Sequence, residues 1–276
     1  FGLEFRRCIK RGEFRICQNH TKGKVKLRME VKQGDAVNQP KELKARFIID
    51  IINRLVVHYG LWFTEVRHQM GMEKALEILE NVTEKNISIG MKRFSELFGF
   101  ELEQGLPKAL LQMDNKDMDK LMEAVAKSWL VNDGVFFQAI EFDYGMNDAK
   151  RCNDSCWAQF SPYEAFAVKR FLKLSDNSGL EGLKQALQFR LYSLINKQSI
   201  IDEGPESFVF QMNACRVQAA RKRKNLDDYP CKSGGLVEYT YFARAIDKRI
   251  ETECIGCPPD DHPENWFCAW RFSINN

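Results

Sequence analysis

The feature that most constrains this chain is a likeness to itself. At an offset of 74, residues 60–75 align with residues 134–149. Gly60/Gly134, Phe63/Phe137, Gly71/Gly145, Met72/Met146 and Ala75/Ala149 are identical. Leu61/Val135, Trp62/Phe136 and Val66/Ile140 are similar, and Lys92-Arg-Phe94 matches Lys169-Arg-Phe171 after a short further shift. Both copies lie in stretches whose apolar residues recur at helical spacing, so the shared glycine reads as the turn of a duplicated helical hairpin. Two copies are too few for a solenoid; they would pack as a pseudo-symmetric bundle. A chance match of two amphipathic helices is the plainer alternative, and the Gly-Met shared at the turn favours duplication.

Around that repeat the helical pattern is almost continuous. Lys41 to Met70 carries Leu43, Phe47, Ile48, Ile51, Ile52, Leu55 and Val56 at helical spacing with no proline. Met72–Phe98, Lys116–Tyr144, Met146–Leu174 and Leu180–Ile195 continue it. Breaks are expected at Gly71, Gly99 to Pro107, Gly145, Ser161-Pro162 and Asn177 to Gly179. Ser161-Pro162 with Glu164 following has the form of a fresh helix start. After Gly204-Pro205 the character changes. Ser207–Asn213, Arg249–Cys254 and Trp266–Ile274 read as strands, and Leu236–Ile246 as a helix. The expected class is α+β, mostly α. A helical domain over 41–198, with repeats at about 55–98 and 129–174, precedes a smaller Cys-rich α+β part over 199–276 with a short antiparallel sheet.

Residues 1–40 stand apart as a variable basic extension. Residues 1–28 hold nine Lys/Arg and two Glu, a net of +7; since the whole chain is +3, the remaining residues carry −4. The apparent basicity belongs to the extension, where no helical or strand period is sustained, and nucleic acid is a weak third reading. An anion-binding arm is the functional alternative there. The rest, with 44% apolar and 29% charged residues in the whole chain, has a globular composition that can bury a core without staples. The greasiest stretch, residues 47–57, is interrupted by Asp50, Asn53 and Arg54, so no membrane span is expected. No apolar signal core follows the early charges, which points to a cytoplasmic location.

Differences between the copies pick out candidate catalytic residues. Glu65 and His68 sit three apart on one helix face, the Glu-x-x-His spacing of di-iron bundles. The second copy has Ala139 and Phe142 there, which removes a symmetric two-metal site. It has Asn132, Asp133, Glu141 and Asp143 nearby, so a mixed site of Glu65, His68 and Glu141 is conceivable. A solvated i,i+3 pair is the plainer reading. Trp62, Phe63, Trp129, Phe136 and Phe137 would line a flat ligand pocket or, more commonly, a core.

Five cysteines crowd into the last part: Cys215, Cys231, Cys254, Cys257 and Cys268. Cys254-Ile-Gly-Cys257-Pro-Pro has the form of a knuckle that aims two thiolates at one centre. Cys215 and Cys231 would complete a four-thiolate zinc site, with Cys268 or His262 as the reserve ligand. An iron–sulfur cluster is the alternative, although the spacing does not follow a ferredoxin through. Pro258-Pro259 blocks the helix that follows a redox CxxC, and disulfides are disfavoured without a secretion signal. Free buried thiols compete, above all for Cys268 among its tryptophans. Cys152 and Cys156, four apart on a helix, read as free thiols.

The basic run Arg216, Arg221, Lys222, Arg223 and Lys224 could hold a phosphate or carboxylate, though such runs are more commonly solvated faces. No P-loop, dinucleotide fingerprint or nucleophile signature occurs, and Ser233-Gly-Gly235 reads as a plain turn.

Taken together, Cys215-Arg-Val-Gln, Pro230-Cys-Lys-Ser, Cys254-x-x-Cys-Pro-Pro-Asp260 and Trp266-x-Cys-x-Trp-x-Phe272 resemble a family of uncharacterised prokaryotic cytosolic proteins. His58-Tyr-Gly-Leu-Trp-Phe63 and Asn132-Asp-Gly-Val-Phe-Phe137 are similar to it too. That family looks distantly like the L-2-amino-thiazoline-4-carboxylate hydrolase-like proteins and the vinyl-reductase, or hydrocarbon-binding, domain. The resemblance spans roughly residues 45–274. It implies a helical front and a Cys-rich α+β end, and carries over no catalytic residue. The expectation is a small-molecule-binding or sensing protein with a structural thiolate-held metal, its ligand between the Cys-rich end and the hairpins. The alternative is a hydrolase of a C–N bond, using a metal-bound water with Glu65 or His68 as base, or a cysteine nucleophile. A small molecule is the expected partner, with a homodimer an open arrangement.

Overall fold

A computed structural model of the chain describes residues 36–274 and the backbone of three upstream strands. The chain divides into two compact units, residues 1–75 and 76–276.

In the first unit, β1 (Arg7–Arg11), β2 (Phe14–Asn19) and β3 (Lys26–Met29) form an antiparallel meander with β2 in the centre. Strands thus occupy part of the basic segment, where the sequence shows no sustained period. The long α1 (Lys41–Met70) follows, with Glu42 in its first turn and Arg67 and His68 in its last, as the helix dipole favours. It buries none of its residues. Among the described residues it is the one helix long and apolar enough to cross a membrane by length and composition, with a mean hydropathy of 1.2 over 18 residues. Asp50 and Arg54, which interrupt the apolar stretch, pair with each other along the helix.

The next helix, α2 (Met72–Phe98), buries only Ala75. In the second unit a pair of two-residue strands, β4 (Leu102–Glu103) and β5 (Leu106–Pro107), leads to a single turn, α3 (Lys108–Leu111). Two long helices come next, α4 (Asn115–Tyr144) and α5 (Met146–Leu172). The Asp114 side chain caps α4 by accepting from the Asp117 N–H at 2.9 Å. The repeat is carried into the structure. Both first helices have 30 residues and both second helices have 27, each pair starting at the same offset as the sequence match. Gly71 and Gly145 join them at φ/ψ of 83/166° and 94/167°. Only glycine visits that region without strain, which explains the matched residue.

One expected break does not occur. The helix α5 runs straight through Ser161-Pro162, although Pro162 removes one backbone hydrogen bond. Its buried face, Trp157, Ser161, Glu164, Ala165 and Val168, is spaced at i, i+4, i+7, i+8 and i+11. Packing along that continuous stripe outweighs the local proline penalty.

The remaining elements are α6 (Gly179–Gln188), a 3-10 turn (Leu191–Leu194), β6 (Lys197–Asp202), β7 (Ser207–Ala214), α7 (Arg216–Arg223), α8 (Lys232–Ile246), β8 (Ile250–Gly256) and β9 (Cys268–Ile274). The four strands make an antiparallel sheet in the order β6-β7-β9-β8. Period-two alternation turns Phe208, Phe210 and Met212 of β7 and Trp270 and Phe272 of β9 to one core with Leu183 and Leu187 of α6 and Phe242 and Ile246 of α8. Each such burial stabilises by about 1.5–3 kcal/mol. The glycines of Ser233-Gly-Gly235 lie in the first turn of α8, not in a plain turn. A Cβ at Gly235 would stand 2.5 Å from Trp270 Cζ2, so glycine lets the indole close on the helix.

Charge is buried here in paired form. Arg190 Nε donates to Glu164 Oε2 at 2.8 Å, and its Nη2 lies 2.7 Å from Glu238 Oε1 at an angle outside hydrogen-bond geometry. The guanidinium also lies over the Phe242 ring, 4.7 Å from its centroid. Asp247 accepts from the Gly179 N–H at the start of α6 and from Arg249. The Arg249 side chain holds the Asp247 carboxyl down at about 2, against the opposing effect of burial.

Candidate functional site

The second unit encloses a cavity of about 450 Å³. Its walls come from α4, α5, α7, the start of α8 and the β7 and β9 strands. On α4 the lining residues Leu130, Asp133, Gly134 and Phe137 follow one helical face. From α5 come Asn153 and Trp157, and from α8 Gly234, Gly235, Glu238 and Tyr239. Exposed Val131, Val135 and Arg223 line one end, and buried Tyr239, Cys257 and Trp270 another. The lining therefore runs from a mouth to an aromatic, thiol-bearing floor.

Four of the five expected metal-ligating cysteines share this lining: Cys215, Cys231, Cys257 and Cys268. Cys215 and Cys231 stand at the N-caps of α7 and α8, Cys257 follows β8, and Cys268 opens β9. Cys254 is not in the lining. It lies on β8 opposite Trp270, and the register shifts between it and Gly256. The Cys-x-x-Cys spacing therefore spans the irregular end of a strand instead of closing a knuckle. His262 packs in a tilted arrangement beside Trp266 and Phe267 in the loop after β8.

The chemistry of the thiols follows from their surroundings. Burial pushes the Cys215 thiol up to about 12, with the N–H groups of Gln218 and Val217 acting in the opposite sense. Hydrogen bonds with Cys231 and Cys268, and then burial, raise Cys257 well above the ordinary thiol range. Burial also raises Cys254, against the pull of Lys232. Such thiols are protonated at neutral pH and are poor nucleophiles unless a metal or a cation draws the proton off. All seven described cysteines from Cys152 onward are free. Among the described residues, no three His, Cys, Asp or Glu side chains are grouped so as to hold a metal ion.

A polar scaffold sets the position of Cys231. The buried Gln218 of α7 donates to the Tyr229 carbonyl at 2.9 Å and accepts from the Tyr229 N–H at 2.9 Å, closing the 225–231 loop onto the helix. The same amide approaches Cys231 Sγ at 3.4 Å. The Tyr229 hydroxyl donates to Asn153 and accepts from Lys150, and its ring packs edge-on against Phe137. Two acids also face the cavity. Burial raises Glu238, although Arg190 pulls it down, and burial alone raises Asp133. Asp133 has no hydrogen bond or ion pair among the described residues.

The other sequence candidates are distributed as follows. Glu65 and His68 are exposed on α1, and Glu65 accepts from Gln69 at 2.7 Å. Glu141 is engaged at both oxygens by Arg221, at 2.8 and 2.9 Å. Of the aromatic stripe, Phe137 lines the cavity and Trp129 packs against Trp157, Phe160 and Tyr192, while Trp62 and Phe136 are exposed. Tyr192, Tyr229, Glu238 and Tyr239 were not legible as site residues. Each lies beside a turn or on a helix with no chemical motif, and only the fold brings them together. The basic run was visible; that Arg216, Arg221, Arg223 and Lys224 turn to the cavity while Lys222 does not was not visible.

Comparison with curated proteins found no match, and comparison with solved structures found none. A family match covers residues 38–118 and 111–274, nearly the whole of the described chain, so the chain belongs to DUF6125, a family of unknown function.

Proposed function

We propose that this protein binds a small molecule in the cavity of its second unit. The observation that carries this reading is the cavity itself: about 450 Å³, walled by Trp157, Tyr192, Tyr239 and Trp270 with a few convergent polar groups. Pockets of that size and composition are where small ligands are held. Cys215 and Cys257, whose thiols are raised, suit binding or sensing better than nucleophilic attack. Native mass spectrometry of the purified protein tests it. A bound mass is expected that is released on denaturation and is missing from Ala220→Trp, which places an indole in the lining. A bound mass retained by that variant would remove the cavity from the reading. A ligand that is consumed rather than retained would move the protein to the alternative, a C–N hydrolase.

A second reading has its own support in the four thiols on one lining, among which Cys231 and Cys268 both act on the Cys257 thiol. On this reading zinc, or an iron–sulfur cluster, would be held by Cys215, Cys231, Cys257 and Cys268 once the sulfurs lose their protons and draw together. Metal analysis with a thiol count before and after chelation tests it. Cys268→Ser should lose the metal while Cys254→Ser keeps it. Metal-free protein with every thiol titratable in the native state would end this reading.

A further inference from the structure

The charges of the cavity lining are unequal, and their partners differ. One stripe of α7 contributes Arg216, Val217, Ala220, Arg221, Arg223 and Lys224, at i, i+1, i+4, i+5, i+7 and i+8. With Lys127 the lining has five basic side chains against two acidic ones, Asp133 and Glu238. Most of these charges are already matched. Arg221 is held by Glu141, Lys127 by Glu123 and Glu238 by Arg190, and Lys224 donates to Gln138. Arg216 and Arg223 have no hydrogen bond or ion pair from their side chains among the described residues, although Arg216 adds to Lys127 in lowering the Glu123 carboxyl. They stand two helical turns apart on the same face, Arg223 exposed and Arg216 half-buried, so they belong to the mouth.

A second, independent feature lies deeper. Trp270 is fully buried and lines the floor, yet its Nε1 has no hydrogen-bond partner. Asn196 also lines the cavity. Its Oδ1 accepts from the Arg216 N–H at 2.9 Å, while its Nδ2 is left without a partner. Buried donors without acceptors are costly, and a site that leaves them so is complementary to a ligand that supplies the acceptors.

We infer that the ligand is an apolar, flat-bodied anion whose carboxylate or phosphate is held at the mouth by Arg216 and Arg223 and whose body, bearing a hydrogen-bond acceptor, lies against Trp157 and Trp270. The inference rests on the cavity being a ligand site. A cationic ligand is disfavoured because Arg216, Arg223 and Lys224 have no acidic partner in an ion pair among the described residues, while Asp133 is the one lining acid without a basic one. Guanidinium pairs match carboxylate and phosphate oxygens in a way that a single ammonium does not.

The test uses three compounds with one body: 1-naphthyl phosphate, 1-naphthoate and uncharged 1-naphthol, titrated calorimetrically into the 276-residue chain. At low salt at least one anion should bind about tenfold or more tightly than 1-naphthol, and which one does distinguishes phosphate from carboxylate. The preference should shrink as salt is added. In Arg216→Gln/Arg223→Gln the ratio of anion to naphthol affinity should fall about tenfold. Naphthol binding as tightly as both anions, or a ratio unmoved in the double variant, would overturn the inference while leaving the cavity reading in place. Ala220→Trp should weaken all three compounds, with Val217→Phe as the second blocked variant if the first misfolds by circular dichroism. Undiminished binding to a folded blocked variant would overturn the cavity reading and this inference with it, and no binding of any compound to the parent protein would overturn the inference alone.

Discussion

The two copies of the repeated helix pair have the same helix lengths and the same glycine turn, and their residues are buried to very different extents. Residues 115–172 bury Phe137 on one helix and a continuous stripe on the other, and they supply two walls of the cavity. Residues 41–98 bury Ala75 alone. Ile52 and Ile87 are exposed in the first copy, where the residues 74 positions on, Ala126 and Ser161, are buried in the second. Length, turn and periodicity are therefore local properties that both copies keep. Burial, and with it any function, depends on what else packs against them.

The largest expected effect breaks the symmetry at an identical residue. Phe137→Ala should cost about 3–5 kcal/mol in denaturant unfolding, because it empties a buried site beside Tyr229. Its counterpart Phe63→Ala should cost about 1–2 kcal/mol, being half-buried. Equal costs would mean that the first copy is packed as tightly as the second. Next, Gly71→Ala and Gly145→Ala should each cost about 1–3 kcal/mol and match one another closely, since both force a Cβ into the same positive-φ geometry. A large difference between them would show that the turns are not equivalent.

A smaller contrast concerns glycines within helices. Gly90→Ala in α2 meets nothing within 4 Å and should stabilise by about 0.5–1 kcal/mol. Gly235→Ala in α8 meets Trp270 and should destabilise by about 1–2 kcal/mol despite its better helix propensity. Thermal melts of the two variants should shift in opposite directions. The smallest effect is an acid one in the sheet-bearing part. The Asp247 carboxyl titrates at about 2 in the folded chain, below the ordinary 3.8, so its contribution is complete above about pH 4 and is lost as pH falls towards 2. Its partner Arg249 is largely exposed, which holds the effect to about 1 kcal/mol or less. Asp247→Asn should flatten that part of the pH–stability curve; an unchanged slope between pH 4 and 2 would show that the pair contributes nothing.

Much of the scaffold was legible because it is written at short range. Gly71 and Gly145 each announce a backbone geometry, and the apolar spacing on either side announces a helix. Ser161-Pro162 shows the limit: its local signal is a helix start, and the stripe from Trp157 to Val168 overrides it through contacts that no window of sequence contains. The cysteines show the same limit in the site. Their crowding was visible, and so was the Cys254-x-x-Cys257 spacing. Cys254, opposite Trp270 on β8, stays out of the lining, while Cys268, paired with Met212 at the start of β9, is in it.

What the sequence by itself determined is the repeated helix–glycine–helix, the mostly helical α+β class and the concentration of thiols near the end, all consequences of periodicity and of residue type. What only the tertiary structure decided is which face of each element is covered. It turned one side of the basic α7 inward and left the Trp270 indole N–H without an acceptor. It also set Asp133 and four thiols around a single cavity. These outcomes depend on strand register and on packing between residues as far apart in the chain as Phe137 and Tyr229, and sequence spacing does not encode distances of that kind.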